Sequence, residues 1–194
     1  MLKLRERKSK NFNIFAAAMS GHILEFYDFT IFAVFSLVIG ALYFPNSSEI
    51  TQLLATLSIY AAGFFMRPLG GIIFGHIGDK HGRKIALSLS VSFMAVATFA
   101  IGFLPDYEAI GIFAPILLML LRFLQDICVG GDGVGSSIFV LEHVGDLKPG
   151  VIGGIVNAAL TVGILLALFA GIMLNHFFPG STHAWRYAFM AGGL

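Results

Sequence analysis

Between Gly63 and Lys84 the chain reads GFFMRPLGGIIFGHIGDKHGRK: an apolar run, a knot of charge, and from Ile85 a second apolar run. The knot sets Gly75, Asp79, Lys80, Gly82, Arg83 and Lys84 in the order G-x-x-x-D-K-x-G-R-K. Glycine permits a reversal too tight for side chains. Two long apolar segments joined by a short cationic turn serve little purpose around a water-soluble core. In a bilayer the same turn keeps its cations on one face. The feature constrains the chain to membrane-embedded helices, and the composition agrees. Of 194 residues, 57% are hydrophobic and 12% charged, with mean hydropathy +0.87. The fold class read from this is all-α integral membrane.

The chain resolves into a basic tail over about 1–11 and apolar runs over about 12–44, 50–74, 85–104, 110–140 and 151–178, with a sixth from 185 to 194. Each full run reaches the ~20 residues that carry a helix across ~30 Å of hydrocarbon. The tail holds Lys3, Arg5, Arg7, Lys8 and Lys10, the turn after the second run holds Lys80, Arg83 and Lys84, and the turn after the fourth holds Lys148. The intervening turns, at Pro45–Glu49 and Pro105–Glu108, hold neither Lys nor Arg. The positive-inside rule then places the N-terminus in the cytoplasm, as in a bacterial inner-membrane protein.

A net charge of +1 gives no field that recruits nucleic acid, and one cysteine, Cys128, excludes an internal disulfide. Neither a nucleophile–base arrangement nor a phosphate-binding glycine loop is present, so no catalytic residue and no cofactor is expected. His22 has no second His or Cys at metal-ligand spacing, so no metal is expected either. His22, Cys128 and Asn157 read as packing residues.

Charges within the apolar runs carry the functional reading. Each costs roughly 2.5–3.5 kcal/mol at a helix centre, so each is expected to face a cavity or a partner. Glu25 and Asp28 lie about 60° apart around the first helix. They form either a proton or cation site or a structural ion pair with Arg67 or Arg122. Arg67 precedes Pro68, where a bend frees carbonyls for it. Arg122 and Asp126 are spaced i, i+4 and either neutralise each other along the helix or leave Arg122 to grip a carboxylate. Gln125 bonds a solute or a neighbouring helix. Asp132, within GGDGVG, is a proton carrier or a latch.

The charged turn resembles the loop between helices 2 and 3 of the major facilitator superfamily. GHILEFYDF (21–29), RPLGG (67–71), RFLQDICVGGDG (122–133) and WRYAF (185–189) resemble motifs of its metabolite:proton symporter family. IGIFAPILL (110–118) and SIFVLEH (137–143) are most similar to the proline/glycine-betaine transporters within it. Against the family pattern, Asp126 stands where a glycine is usual. The resemblance implies the N-terminal six-helix bundle of such a transporter, truncated within helix 6, with the C-terminal bundle absent. It implies a proton-coupled symporter of a small zwitterionic osmolyte or a carboxylate, not an enzyme. Partners are then the lipid bilayer, protons, the solute and a second chain carrying helices 7–12. The alternative expectation is a half-transporter that moves nothing alone. Glu25, Asp28, Arg67, Arg122, Gln125 and Asp132 are the coupling and substrate candidates. Gly75, Asp79, Lys80, Gly82, Arg83 and Lys84 form the gating loop.

In a Cys128→Ser background, single cysteines at positions 46, 106 and 181 are expected to react with an impermeant thiol reagent from outside the cell. A cysteine at position 80 is expected to stay unlabelled until the membrane is breached, and the reverse pattern would invert the topology.

Overall fold

A computed structural model describes residues 19–143 and 149–193; the side chains of 132–143, 149 and 152 lie outside that description, as do the basic tail and Lys148. Every regular element among the described residues is a helix. The first apolar run forms α1 (Met19–Val34) and α2 (Ser36–Tyr43), which meet at 63°. The bend has a local cause. Ser36 Oγ donates to the Ala33 carbonyl at 2.8 Å, and a hydroxyl inserted into the ladder opens a helix on that side. Backbone bonds from Phe35 to Ile31 and from Ile39 to Phe35 carry the chain across the break.

After a turn capped by Ser48, whose side chain accepts from the Thr51 N–H, α3 (Glu49–Gly63) leads through a 3₁₀ turn at Phe64–Met66 into α4 (Arg67–His81). Pro68 has no N–H to give the Phe64 carbonyl, and the Arg67 N–H takes that carbonyl instead. Helix therefore continues to His81, beyond the expected end near Phe74. The expected loop contracts to one non-helical residue, Gly82, at φ 94°, where a side chain would be strained. Gly75, Asp79 and Lys80 lie on the last turns of α4, and Arg83 and Lys84 on the first turn of α5 (Arg83–Phe103).

A short α6 (Tyr107–Ile110) precedes α7 (Phe113–His143), which is followed by α8 (Pro149–Phe177) and α9 (Ala184–Gly192). Among the described residues, four helices are long and apolar enough to cross a membrane, or five if the bent α1–α2 pair is one span. The hub is α7, packed against α3, α4, α5 and α8, while α9 closes on α5. Two glycines set the α4–α7 crossing. A Cβ on Gly70 would overlap the Ile127 carbonyl, and one on Gly130 would overlap the Arg67 carbonyl. The two backbones touch with no side chain between them.

Polarity is arranged inside out. Leu37, Ile50, Phe65 and Ile72 lie on the outside, while His22, Glu25, Asp28, Thr98, Arg122, Gln125 and Asp126 are buried. That is the expected distribution when the solvent is hydrocarbon. An apolar cluster of Ile31, Phe32, Ile39, Tyr43, Ile101, Leu118, Trp185 and Phe189 fills the half of the bundle nearer the 104–106 turn. It is pinned by Tyr43 Oη donating to the Leu104 carbonyl at 3.3 Å and Tyr27 Oη donating to that of Ala188 at 2.8 Å.

Gly70→Ala is expected to destabilise the bundle by about 1–3 kcal/mol through overpacking. Gly153→Ala, whose new Cβ meets nothing within 4 Å, is expected to be neutral or to gain up to ~1 kcal/mol from helix propensity. Thermal unfolding in detergent, with retention of a monodisperse peak, measures both.

Candidate functional site

Three helices deliver one closed polar cluster to the interior. Asp28 comes from α1, Thr98 from α5, and Arg122 and Gln125 from successive turns of one face of α7. Arg122 Nη1 lies 2.5 Å from Asp28 Oδ2 and also donates to Gln125 Oε1 at 2.8 Å. Gln125 Nε2 donates to Asp28 Oδ1 and to Thr98 Oγ1, each at 2.8 Å. Thr98 Oγ1 lies 3.2 Å from Asp28 Oδ1 and 2.9 Å from the Met94 carbonyl, two acceptors for its one proton. Both oxygens of Asp28 are engaged, and the four residues are at most 2% exposed. The guanidinium lies against aromatic rings, 4.4 Å from the Phe32 centroid and 5.3 Å from that of Tyr60. Its Nε and Nη2 have no hydrogen-bond partner among the described residues.

A second ion pair lies on the α4–α7 crossing. Arg67 Nε donates to Asp126 Oδ1 at 3.0 Å, and its guanidinium stands 4.1 Å from the Phe64 centroid and 4.6 Å from that of Phe29. Phe29 also lies 5.8 Å from the Arg122 guanidinium, so one ring touches both cations. Asp126 finds room because it faces Gly63. A Cβ there would overlap its Oδ2.

Of the two pairings open to Arg122, the structure makes the one across helices, to Asp28. The i, i+4 neutralisation by Asp126 is not made, since Asp126 turns to Arg67. Glu25 shares a helix face with Asp28 but lies against His22, with Nδ1 to Oε2 at 3.6 Å, so the two α1 carboxylates have different partners. Gln125 bonds residues of neighbouring helices, and Asn157 bonds the Gly153 carbonyl of its own helix. Asp132 belongs to α7, but its side chain falls outside the described residues. Asp79 and Arg83 line a cleft of about 290 Å³ with Gly71, Phe74, Gly75 and Gly78 of α4 and Gly130 and Gly131 of α7. Lys80, Gly82 and Lys84 are exposed beside it.

Sequence reasoning missed Thr98 and the aromatic residues Phe29, Phe32, Tyr60 and Phe64. Thr98 looks like ordinary helix filling in the run AVATFAIG, and only its placement opposite Gln125 gives it a role. The aromatic residues are lost among 20 Phe.

The chain matches the sugar (and other) transporter family over residues 13–193. It is 37% identical over 177 residues to the glycine betaine/proline/ectoine/pipecolic acid transporter of Dickeya dadantii, covering 91% of this chain and 34% of that protein. It is 38% identical over 180 residues to the α-ketoglutarate permease of Escherichia coli, covering 91% of this chain and 42% of that one. The proline/betaine transporter of Escherichia coli is 37% identical over 158 residues, 81% of this chain and 31% of its own length. The chain thus spans 31% to 42% of the length of these curated relatives. In fold it is similar to the proton:xylose symporter XylE bound to 6-bromo-6-deoxy-D-glucose, with TM-score 0.73 at 20% identity, over 96% of this chain and 42% of that one.

Removing one member of a buried pair strands the other charge. Arg122→Leu is expected to destabilise by about 3–5 kcal/mol, and the Asp28→Leu/Arg122→Leu double variant to recover most of the loss. Thermal unfolding of the single and double variants measures the coupling; an equally unstable double variant would show that the pair is not coupled.

Proposed function

Because the chain belongs to the sugar (and other) transporter family, within the major facilitator superfamily, we propose that it forms one bundle of a proton-coupled symporter for a small zwitterionic osmolyte or organic acid. The observation that carries this reading is the closed cluster of Asp28, Thr98, Arg122 and Gln125. The curated relatives include carriers named for glycine betaine, proline and α-ketoglutarate, all bearing a carboxylate. The other wall of the solute path is supplied by helices 7–12, on the same polypeptide or on a separate chain.

Asp28 is the proton carrier. Ionised, it holds Arg122 across the gap between α1 and α7 and accepts from Gln125. Protonated, it has no charge with which to hold the guanidinium. Arg122, already without partners at Nε and Nη2 among the described residues, is then free to take the carboxylate of a solute bidentately. Proton binding and anion binding become linked through one cation. The cleft bearing Asp79 and Arg83 lies at the opposite end of the continuous α3–α4 span from the Ser48 turn and serves as the latch of the cytoplasmic gate, in an N-terminus-inside, bacterial inner-membrane orientation.

Asp28→Asn keeps a hydrogen-bond acceptor for Gln125 and removes the charge. In proteoliposomes of the intact transporter it is expected to abolish accumulation driven by a proton gradient while sparing counterflow exchange of solute. Gradient-driven accumulation at the wild-type level in this variant would remove Asp28 from the coupling step.

A further inference from the structure

The Arg67–Asp126 pair is built unlike an ordinary structural salt bridge. Its carboxylate is 1% exposed, yet among the described residues Asp126 Oδ2 has no hydrogen-bond partner. The arginine is 28% exposed, and its Nη2 likewise has no partner among the described residues. The guanidinium lies on two phenyl rings, 4.1 Å from Phe64 and 4.6 Å from Phe29. Tyr60 stands edge-on to both rings, at 5.4 Å and 5.8 Å, and fixes their orientation. Aromatic faces beside a buried carboxylate are what recognises an alkylated ammonium. In this structure an internal cation fills that place.

We propose that Phe29, Phe64 and Asp126 form the subsite for the ammonium end of a zwitterionic solute, and that the solute binds by inserting into the Arg67–Asp126 pair. This rests on the reading of the chain as part of a carrier of small zwitterions. The charges balance. While Asp28 is ionised and holds Arg122, the solute ammonium takes the rings and Asp126 and its carboxylate takes the released Arg67 guanidinium, so no buried charge is left unpaired; once Asp28 is protonated, Arg122 joins Arg67 on that carboxylate. A dicarboxylate cannot do the same, because it satisfies Arg67 and strands Asp126. Gly63, bare against Asp126 Oδ2, keeps the room that a side chain would fill. Asp126 is then a specificity-determining residue, separate from the proton-linked cluster around Asp28.

Equilibrium binding of radiolabelled glycine betaine and of α-ketoglutarate to the purified intact protein tests this without requiring transport. Phe64→Leu, which alters no charge, is expected to weaken betaine binding about tenfold, the ~1.4 kcal/mol within reach of a desolvated cation–π contact. Phe64→Trp is expected to restore or tighten it, and Asp126→Asn to weaken it by at least about tenfold, with α-ketoglutarate binding unchanged by the Phe64 variants. Absent betaine binding by the unaltered protein, unchanged betaine affinity in Phe64→Leu, or equal weakening of both ligands overturns the subsite. So does an Asp126→Asn variant that loses thermal stability but keeps its betaine affinity. Any of these results, alongside loss of gradient-driven accumulation in Asp28→Asn, removes the subsite and leaves the coupling role of Asp28 standing.

Discussion

The contact between Asp28 and Arg122 governs the interior of this bundle. Taking either charge out of water costs several kcal/mol, and the mutual attraction compensates only when the remaining donors and acceptors are also satisfied. Gln125 and Thr98 supply that satisfaction on the carboxylate side, and the faces of Phe32 and Tyr60 shelter the guanidinium. Helices α1, α5 and α7 must meet at one level for this to happen. In hydrocarbon the hydrophobic effect provides no preference between helix–helix and helix–lipid contact. Polar convergence of this kind is therefore a main source of register between the helices.

The second pair solves the same problem with different means. Asp126 would be an uncompensated charge on α7, one turn past Arg122, if Arg67 did not reach it from the start of α4. Pro68 contributes indirectly: by denying Phe64 its usual donor it tightens the chain into a 3₁₀ turn just before Arg67 opens α4. Sequence, backbone and ion pair are thus one causal chain. The two pairs are joined by Phe29, whose ring lies near both guanidinium groups. They are nevertheless asymmetric, one sealed and the other open to its surroundings.

Much of this was legible from residue order alone. Apolar runs of the right length, interrupted by charge, define membrane helices with little ambiguity, and the motifs around Asp28, Arg67 and Arg122 identify the lineage. What residue order could not settle was which charge meets which. Arg122 has Asp126 at i, i+4 and Asp28 far away in sequence, and a helix-local rule favours the nearer partner. The rotation of α7 decides otherwise, because Gly70 and Gly130 let the α4 backbone approach and bring Arg67 onto Asp126. Thr98 was invisible for a related reason, since a hydroxyl in an apolar run bonds its own helix as readily as a neighbour. The limits of the helices shifted too, because Gly75 reads as part of the gating loop but is helical while Gly82 alone makes the turn.

The glycine crossing of α4 and α7 has a bearing on how the bundle deforms. Where two backbones touch directly, no side-chain rotamer is available to take up slack, so the pair shifts as one stiff body. Arg67 and Asp126 both ride on that body, and their separation is insulated from strain arriving elsewhere. Asp28 rides on α1, whose contact with the stiff body passes through deformable side chains. A lateral load on the bundle is therefore felt at the Asp28–Arg122 contact first, which makes that contact the strain gauge of the assembly and the glycine-locked pair its fixed reference.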